Sequence, residues 1–247
     1  MKKILKSTLK NYLPNFLKRI LHRLNYFASY KPDQGKILWG DFAMTKPISN
    51  NYGFDRGGAI DRYYIENFLA SQASLIKGNV LEVADNSYTL KYGKQSVTKS
   101  DVLHINKDAP GATFIADLGQ ENDMPSDYFD CIILTQTLQF IYDYRLALKN
   151  CYRMLKKDGA LLLTVPGISA IELGEWHKSW LWSFNEASIE KICEELFPDK
   201  NLKIDSYGNV FAAISFLHGV GISEIDTKKL DIKDHAYDVI VTLRLIK

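Results

Sequence analysis

Residues 79–89, NVLEVADNSYT, carry the residue types best arranged for chemistry. Val80, Leu81 and Val83 make a short apolar run interrupted by one carboxylate, Glu82, and the run then breaks into Ala84-Asp85-Asn86-Ser87. An apolar run bounded by turn residues reads as a buried parallel strand feeding a ligand loop. Such a loop asks for glycines, because ligand and backbone approach closely and some residues need positive φ. Ala84, Asn86 and Tyr88 stand at the three glycine positions. Alanine is small enough to admit a ligand, and asparagine tolerates the left-handed region better than most residues. Tyr88 meets neither requirement. Two further pairs, Asp55-Arg56 and Asp61-Arg62, read either as substrate contacts or as local ion pairs that order a loop. The five histidines form no metal-ligand cluster. No Ser-His-Asp or Cys-His arrangement is recognisable, and nothing reads nucleic-acid bases, so neither a metal nor a nucleic-acid partner is expected.

The surrounding elements must hold that loop in place. Gly53, Gly57 and Gly58 mark a loop, Asp61 reads as a helix cap, and Tyr64, Ile65, Phe68, Leu69 and Leu75 make an amphipathic face after it. Gly78-Asn79 ends this helix and leads into the first strand. Strand patterns follow at 96–103, 112–116 and 129–134, the last reading FDCIIL. Residues 143–155 read as a helix with Leu146, Leu148, Cys151, Met154 and Leu155 turned inward. Lys157-Asp158-Gly159 reads as a turn into a fifth strand, 160–165, stopped by Pro166-Gly167. A helix over 186–196 precedes strand patterns at 202–207 and 210–216 and a final strand within 237–246. Strands alternating with helices imply a parallel sheet covered on both faces, and two late strands without a strong helix between them imply a terminal antiparallel pair. The expected fold is α/β: a Rossmann-like seven-stranded sheet, mostly parallel with an antiparallel last strand, with helices on both faces.

A chain of 247 residues with 46% hydrophobic content can bury one sizeable core. Its net charge of +2 hides an asymmetry. Residues 1–31 hold eight Lys/Arg and no Asp or Glu, which leaves 23 of the 31 basic residues against all 29 acidic ones. Leucines at 5, 9, 13, 17, 21 and 24 fall on or near one helical face of this arm, with Pro14 starting a second helix at its first turn. No apolar run approaches the roughly 20 residues of a membrane span, and no signal-peptide cleavage site follows a long apolar core. The domain expectation is a basic amphipathic helical arm, 1–31, and a globular domain, 32–247. Such an arm can lie on an anionic membrane surface or dock on a protein. Cys131, Cys151 and Cys193 are far apart and read as buried free thiols of a reducing compartment.

Taken in order, VLEVADNSYT, FIADL, FDCIILTQTLQFIYD, YRMLKKDGALLLTVPG and WLWSFNEASIEKICEELF resemble the class I S-adenosylmethionine-dependent methyltransferases. They are similar in particular to the methyltransferase-domain proteins encoded with glycan-assembly enzymes. The resemblance covers residues 52–246 and implies S-adenosylmethionine as cofactor. It implies that Glu82, Ala84, Asp85 and Asn86 run beside the methionine part of the cofactor. Asp101, 19 residues after Glu82, would bind the ribose hydroxyls, close to the roughly 20-residue spacing known for a ribose-binding acid; Asn106 takes that role if the strand runs on to Ile105. Asp117 would meet the adenine amino group with Leu118 against the ring, and Thr135 and Gln136 would face the methionine moiety or the acceptor.

The implied activity is in-line methyl transfer to a saccharide or glycan precursor, with positioning supplying much of the catalysis. An oxygen acceptor also needs a base. His177, in EWHKSWLW, is that base or an exposed loop histidine. Trp176, Trp180 and Trp182 would stack on a sugar face or close the core under a long loop. The alternative function is a catalytically inactive binding or assembly module in glycan biosynthesis. Expected partners are a small-molecule or glycan acceptor and, through residues 1–31, a membrane surface or a glycosyltransferase. The expected location is cytoplasmic, or peripheral at the inner membrane surface.

Overall fold

A computed structural model describes residues 13–24, 26, 30–174, 176–198 and 201–247. The chain divides into two compact units, Met1–Thr45 and Lys46–Lys247.

The larger unit is built on one seven-stranded sheet: β1 (Gly78–Val83), β2 (Val97–His104), β3 (Phe114–Ile115), β4 (Phe129–Thr135), β5 (Leu155–Pro166), β6 (Asn201–Tyr207) and β7 (Ile240–Ile246). Their order is β3-β2-β1-β4-β5-β7-β6. The first five strands pair in parallel, and β7 runs antiparallel to both β5 and β6. The chain leaves β1 toward one edge and returns through β4 on its other side, so a topological switch point lies between β1 and β4. Open α/β sheets bind ligands outside the carboxyl ends of strands at such a point.

Both faces are covered, which explains why the strands read as continuous apolar runs. Successive residues point to opposite faces. Leu81, Ile132 and Leu161 enter one core with the helices Tyr144–Met154 (α3) and Glu186–Leu196 (α4). Val80, Cys131 and Ala160 enter the other with Ile60–Ser71 (α2) and Val210–Leu217 (α5). Cys131, Cys151 and Cys193 are all buried free thiols.

Three local expectations are corrected. Residues 210–216 are not a strand but the helix α5. Asn209 caps it, accepting from Ala212 N–H at 3.0 Å and donating to the Lys229 and Ile232 carbonyls at 2.7 and 2.6 Å. An apolar run this short does not distinguish strand from helix; the cap decides. Asp61 does not cap α2, whose N-cap is Ala59; Asp61 lies inside the first turn and is buried. Lys157-Asp158-Gly159 does not precede β5 but is an irregularity within it, with Asp158 at φ +63°. A side chain at Gly159 would come within 3.0 Å of the Phe129 carbonyl, so the close crossing to β4 excludes one.

In the smaller unit, α1 (Asn15–Arg23) starts immediately after Pro14. Phe16, Ile20 and Leu24, spaced four apart, are exposed along it, as are Ile37, Leu38 and Trp39. Arg19 reaches across to the Lys36 carbonyl at 3.3 Å. Leu5, Leu9 and the lysines at 2, 3, 6 and 10 lie outside the described residues. Among the described residues, no helix is long and apolar enough to cross a membrane.

Candidate functional site

The site grows from Glu82. Its side chain is 2% exposed, yet both carboxylate oxygens are occupied. Oε1 accepts from Tyr88 N–H at 3.1 Å; Oε2 accepts from Thr89 N–H at 2.7 Å and from the Thr89 hydroxyl at 2.6 Å. Burial raises the Glu82 pKa, and these hydrogen bonds oppose that shift by favouring the charged form. The carboxylate thus caps the turn that follows the loop, a single π-helical turn over Thr89–Gly93.

The loop between them keeps its shape without glycine. Ala84 takes the positive φ, +77°, and its N–H donates to the Leu103 carbonyl at 3.0 Å. Asn86 does not take the left-handed conformation; it bonds Ser100 Oγ at 3.1 Å and so ties the loop to β2. Asp85 is exposed and accepts from Ser87 N–H at 2.7 Å. The Tyr88 ring stacks on Tyr92 at 6.1 Å, and its hydroxyl receives Arg62 Nη1 at 3.2 Å. Tyr88 therefore joins the loop to the first turn of α2, and burial raises the pKa of its hydroxyl.

At β2, Asp101 is 1% exposed and level with Leu81, inside the sheet. Lys99 Nζ lies 3.1 Å from its Oδ2 and forms an ion pair with it. The strand continues to His104, whose Nδ1 accepts from Asn106 N–H at 2.9 Å. His104 and Asn106 therefore stand at the carboxyl end of β2, where Asp101 was expected.

Asp117 follows β3 and accepts from Gly119 N–H at 2.8 Å and Gln120 Nε2 at 3.0 Å. Leu118 turns into the core on the α3 side, and its carbonyl receives Asn150 Nδ2 at 3.0 Å. Thr135 ends β4. Gln136 sits at φ +47°, bonded to Thr164 through both its N–H and its side chain. Glu82, Ala84, Thr135 and Gln136 thus come together at the switch point; Asp101 and Leu118 are drawn into the interior.

His177 lies exposed on a short 3-10 turn, His177–Ser179. That segment docks on the turn after β4: Leu181 and Trp182 N–H groups donate to the Gln139 carbonyl at 2.9 and 3.2 Å. Trp176 and Trp180 lie at ring distances of 5.7 and 5.4 Å from Phe140, and Trp182 Nε1 bonds the Ile141 carbonyl at 3.0 Å. Trp182 closes the core, whereas Trp176 keeps 39% exposure.

Of the two Asp-Arg pairs, only Asp61-Arg62 is local, at 3.8 Å. Arg56 instead forms a two-pronged ion pair with Glu224, and Asp55 accepts from Ser49. This pins the loop before α2 to the segment after α5. Sequence reasoning missed the Arg62–Tyr88 contact and the position of His104. Their signals were the tyrosine-rich stretches at 63–64 and 88–92 and a strand that runs one residue past the expected 96–103.

Sheet order and switch point define a class I methyltransferase-type scaffold. Residues 67–163 match the family model described as "Methyltransferase domain". Among solved structures, an S-adenosylmethionine-dependent methyltransferase from Archaeoglobus fulgidus has 14% identity and a TM-score of 0.50, covering 75% of this chain and 94% of its own. YcgJ from Bacillus subtilis has 13% identity and a TM-score of 0.49, covering 75% and 98%. The plantazolicin methyltransferase BpumL has 16% identity and a TM-score of 0.49, covering 81% and 89%. No curated protein matches the chain. These likenesses show the fold, and the family match places a methyltransferase-domain pattern over residues 67–163.

Left-handed backbone costs an alanine about 1–2 kcal/mol. Glycine adds roughly 0.4–1 kcal/mol of unfolded-state entropy to lose. Ala84→Gly should therefore stabilise the protein by about 0.5–1 kcal/mol in urea unfolding; a lowered midpoint would contradict the strain assigned to Ala84.

Proposed function

We propose that the larger unit binds S-adenosylmethionine at the β1–β4 switch point and transfers its methyl group to a saccharide or glycan precursor. The match of residues 67–163 to a methyltransferase domain carries the reading. The cofactor supplies an electrophilic methyl on a positively charged sulfur. The protein's part is to hold the acceptor in line behind that methyl and to receive the acceptor's proton. Ala84, Asp85 and Asn86 would run beside the methionine end, and Thr135 and Gln136 would face the reacting atoms. Asp117 would meet the adenine. His104 and Asn106 at the end of β2 are better placed for the ribose than the buried Asp101. The half-exposed Trp176 offers an apolar face of the kind sugars stack on, with His177 next to it as the base for an oxygen acceptor. Glycan acceptors are supported by resemblance and by this aromatic surface. Incubation with methyl-labelled cofactor and a panel of lipid-linked and free oligosaccharides tests the proposal. Label should enter a saccharide in wild type and fall at least about tenfold in Gln136→Ala, a loss of about 1.4 kcal/mol in transition-state binding. Transfer confined to non-saccharide acceptors would overturn the glycan assignment.

Residues 1–31 are proposed to attach the protein to an anionic membrane surface. The exposed row Phe16, Ile20 and Leu24, with Lys18 and Arg19 between its members, supports this over a purely structural helix. Binding to vesicles containing anionic lipid should weaken with salt, because charge is screened within about 8 Å at physiological ionic strength. Equal binding by the full chain and by a chain starting at Lys31 would remove the membrane role and favour a glycosyltransferase or other protein partner.

A further inference from the structure

One group of side chains next to the loop is not satisfied by the protein itself. Asp61, in the first turn of α2, is only 8% exposed, and its Oδ1 is closed to solvent with no hydrogen-bond partner among the described residues. The hydroxyl of Tyr52 is in the same condition. Burying a polar atom without a partner is costly, so a site that keeps two of them calls for an explanation. Tyr52 also holds a left-handed backbone, φ +53°, rare for a bulky residue. Strain of that kind collects where a ligand is held.

The charges around these atoms are of both signs. Burial raises the Asp61 pKa. The Tyr52 hydroxyl is pushed up to about 12, first by burial and then by the negative charges of Glu172 and Asp61. This side of the group therefore favours a cation with hydrogen-bond donors. Arg62 is next in sequence. Its Nε lies 3.8 Å from Asp61 Oδ2, its Nη1 bonds Tyr88, and Phe54 lies under it with the guanidinium carbon 5.8 Å from the ring centre. Two anchors thus aim the guanidinium, which keeps further N–H donors for an anion. Acceptors for a cation and donors for an anion stand on consecutive residues, beside the loop that follows β1.

We infer that Tyr52, Asp61 and Arg62 form a clamp for an α-amino-acid zwitterion: Asp61 Oδ1 and Tyr52 Oη accept from its ammonium, and Arg62 donates to its carboxylate. This inference rests on the methyltransferase reading, because it takes the amino-acid end of the sulfonium cofactor as the occupant. Tyr88, at the third glycine position, then positions Arg62.

The test compares two ligands sharing the nucleoside and sulfur but differing in the amino-acid end: S-adenosylhomocysteine and 5′-methylthioadenosine. Both are titrated into the full-length wild type and into Asp61→Asn, Arg62→Gln and Tyr52→Phe, with thermal unfolding checking that each variant is folded. Wild type should prefer S-adenosylhomocysteine by tenfold or more. Asp61→Asn and Arg62→Gln should each weaken that ligand by about tenfold or more, the range for hydrogen bonds to charged groups, while leaving 5′-methylthioadenosine within about twofold. Tyr52→Phe should have a smaller effect of the same kind. Equal binding of the two ligands by wild type, or a uniform loss of both in the variants, would overturn the clamp while leaving the methyltransferase reading intact. Binding of neither ligand by wild type would overturn that reading and the clamp with it.

Discussion

Everything at the switch point depends on one buried carboxylate. Placing Glu82 in the sheet costs desolvation, and its pKa rises accordingly. Three donors from Tyr88 and Thr89 offset that cost. In return the chain is fixed at both ends of the loop, at Glu82 in β1 and at the first residues of the π-helical turn. A loop held this tightly needs less help from glycine. Ala84 can be forced to φ +77°, and Asn86 and Asp85 supply local hydrogen bonds in place of backbone freedom. Tyr88 becomes an anchor to α2 through Arg62 rather than an intrusion.

Much of the architecture was legible because two periodicities coincide with burial. Runs such as FDCIIL and ALLLTV, set between turn signals, read as strands covered on both faces, and the two cores divide them residue by residue. The antiparallel ending followed from two late strands, although one of those expected, 210–216, is a helix. There a short apolar run carried no period of its own, and the deciding interaction was Asn209 reaching the Lys229 and Ile232 carbonyls, contacts that lie 20 and 23 residues away.

The site was less legible than the sheet, for the same reason. Whether an acid at the end of β2 faces a ligand depends on where the strand stops. That is set by pairing: His104 continues the ladder opposite Ile115, which carries the strand end past Asp101. Leu118 likewise reads as a loop residue in sequence but is claimed by the core beside Asn150. The Asp55-Arg56 and Asp61-Arg62 pairs look alike in sequence and behave differently. Arg56 finds Glu224, 168 residues on, while Arg62 stays with Asp61 and turns to Tyr88. Pairings of that range leave no mark in local sequence.

Whether a loop without its glycines forms a working cofactor site is a question of binding. Calorimetric titration of the wild-type protein with S-adenosylhomocysteine tests it most directly. Saturable binding at one site per chain is expected, accompanied by a rise in the thermal unfolding midpoint, since a ligand that binds only the folded state stabilises it. No heat and no shift at millimolar ligand would contradict it.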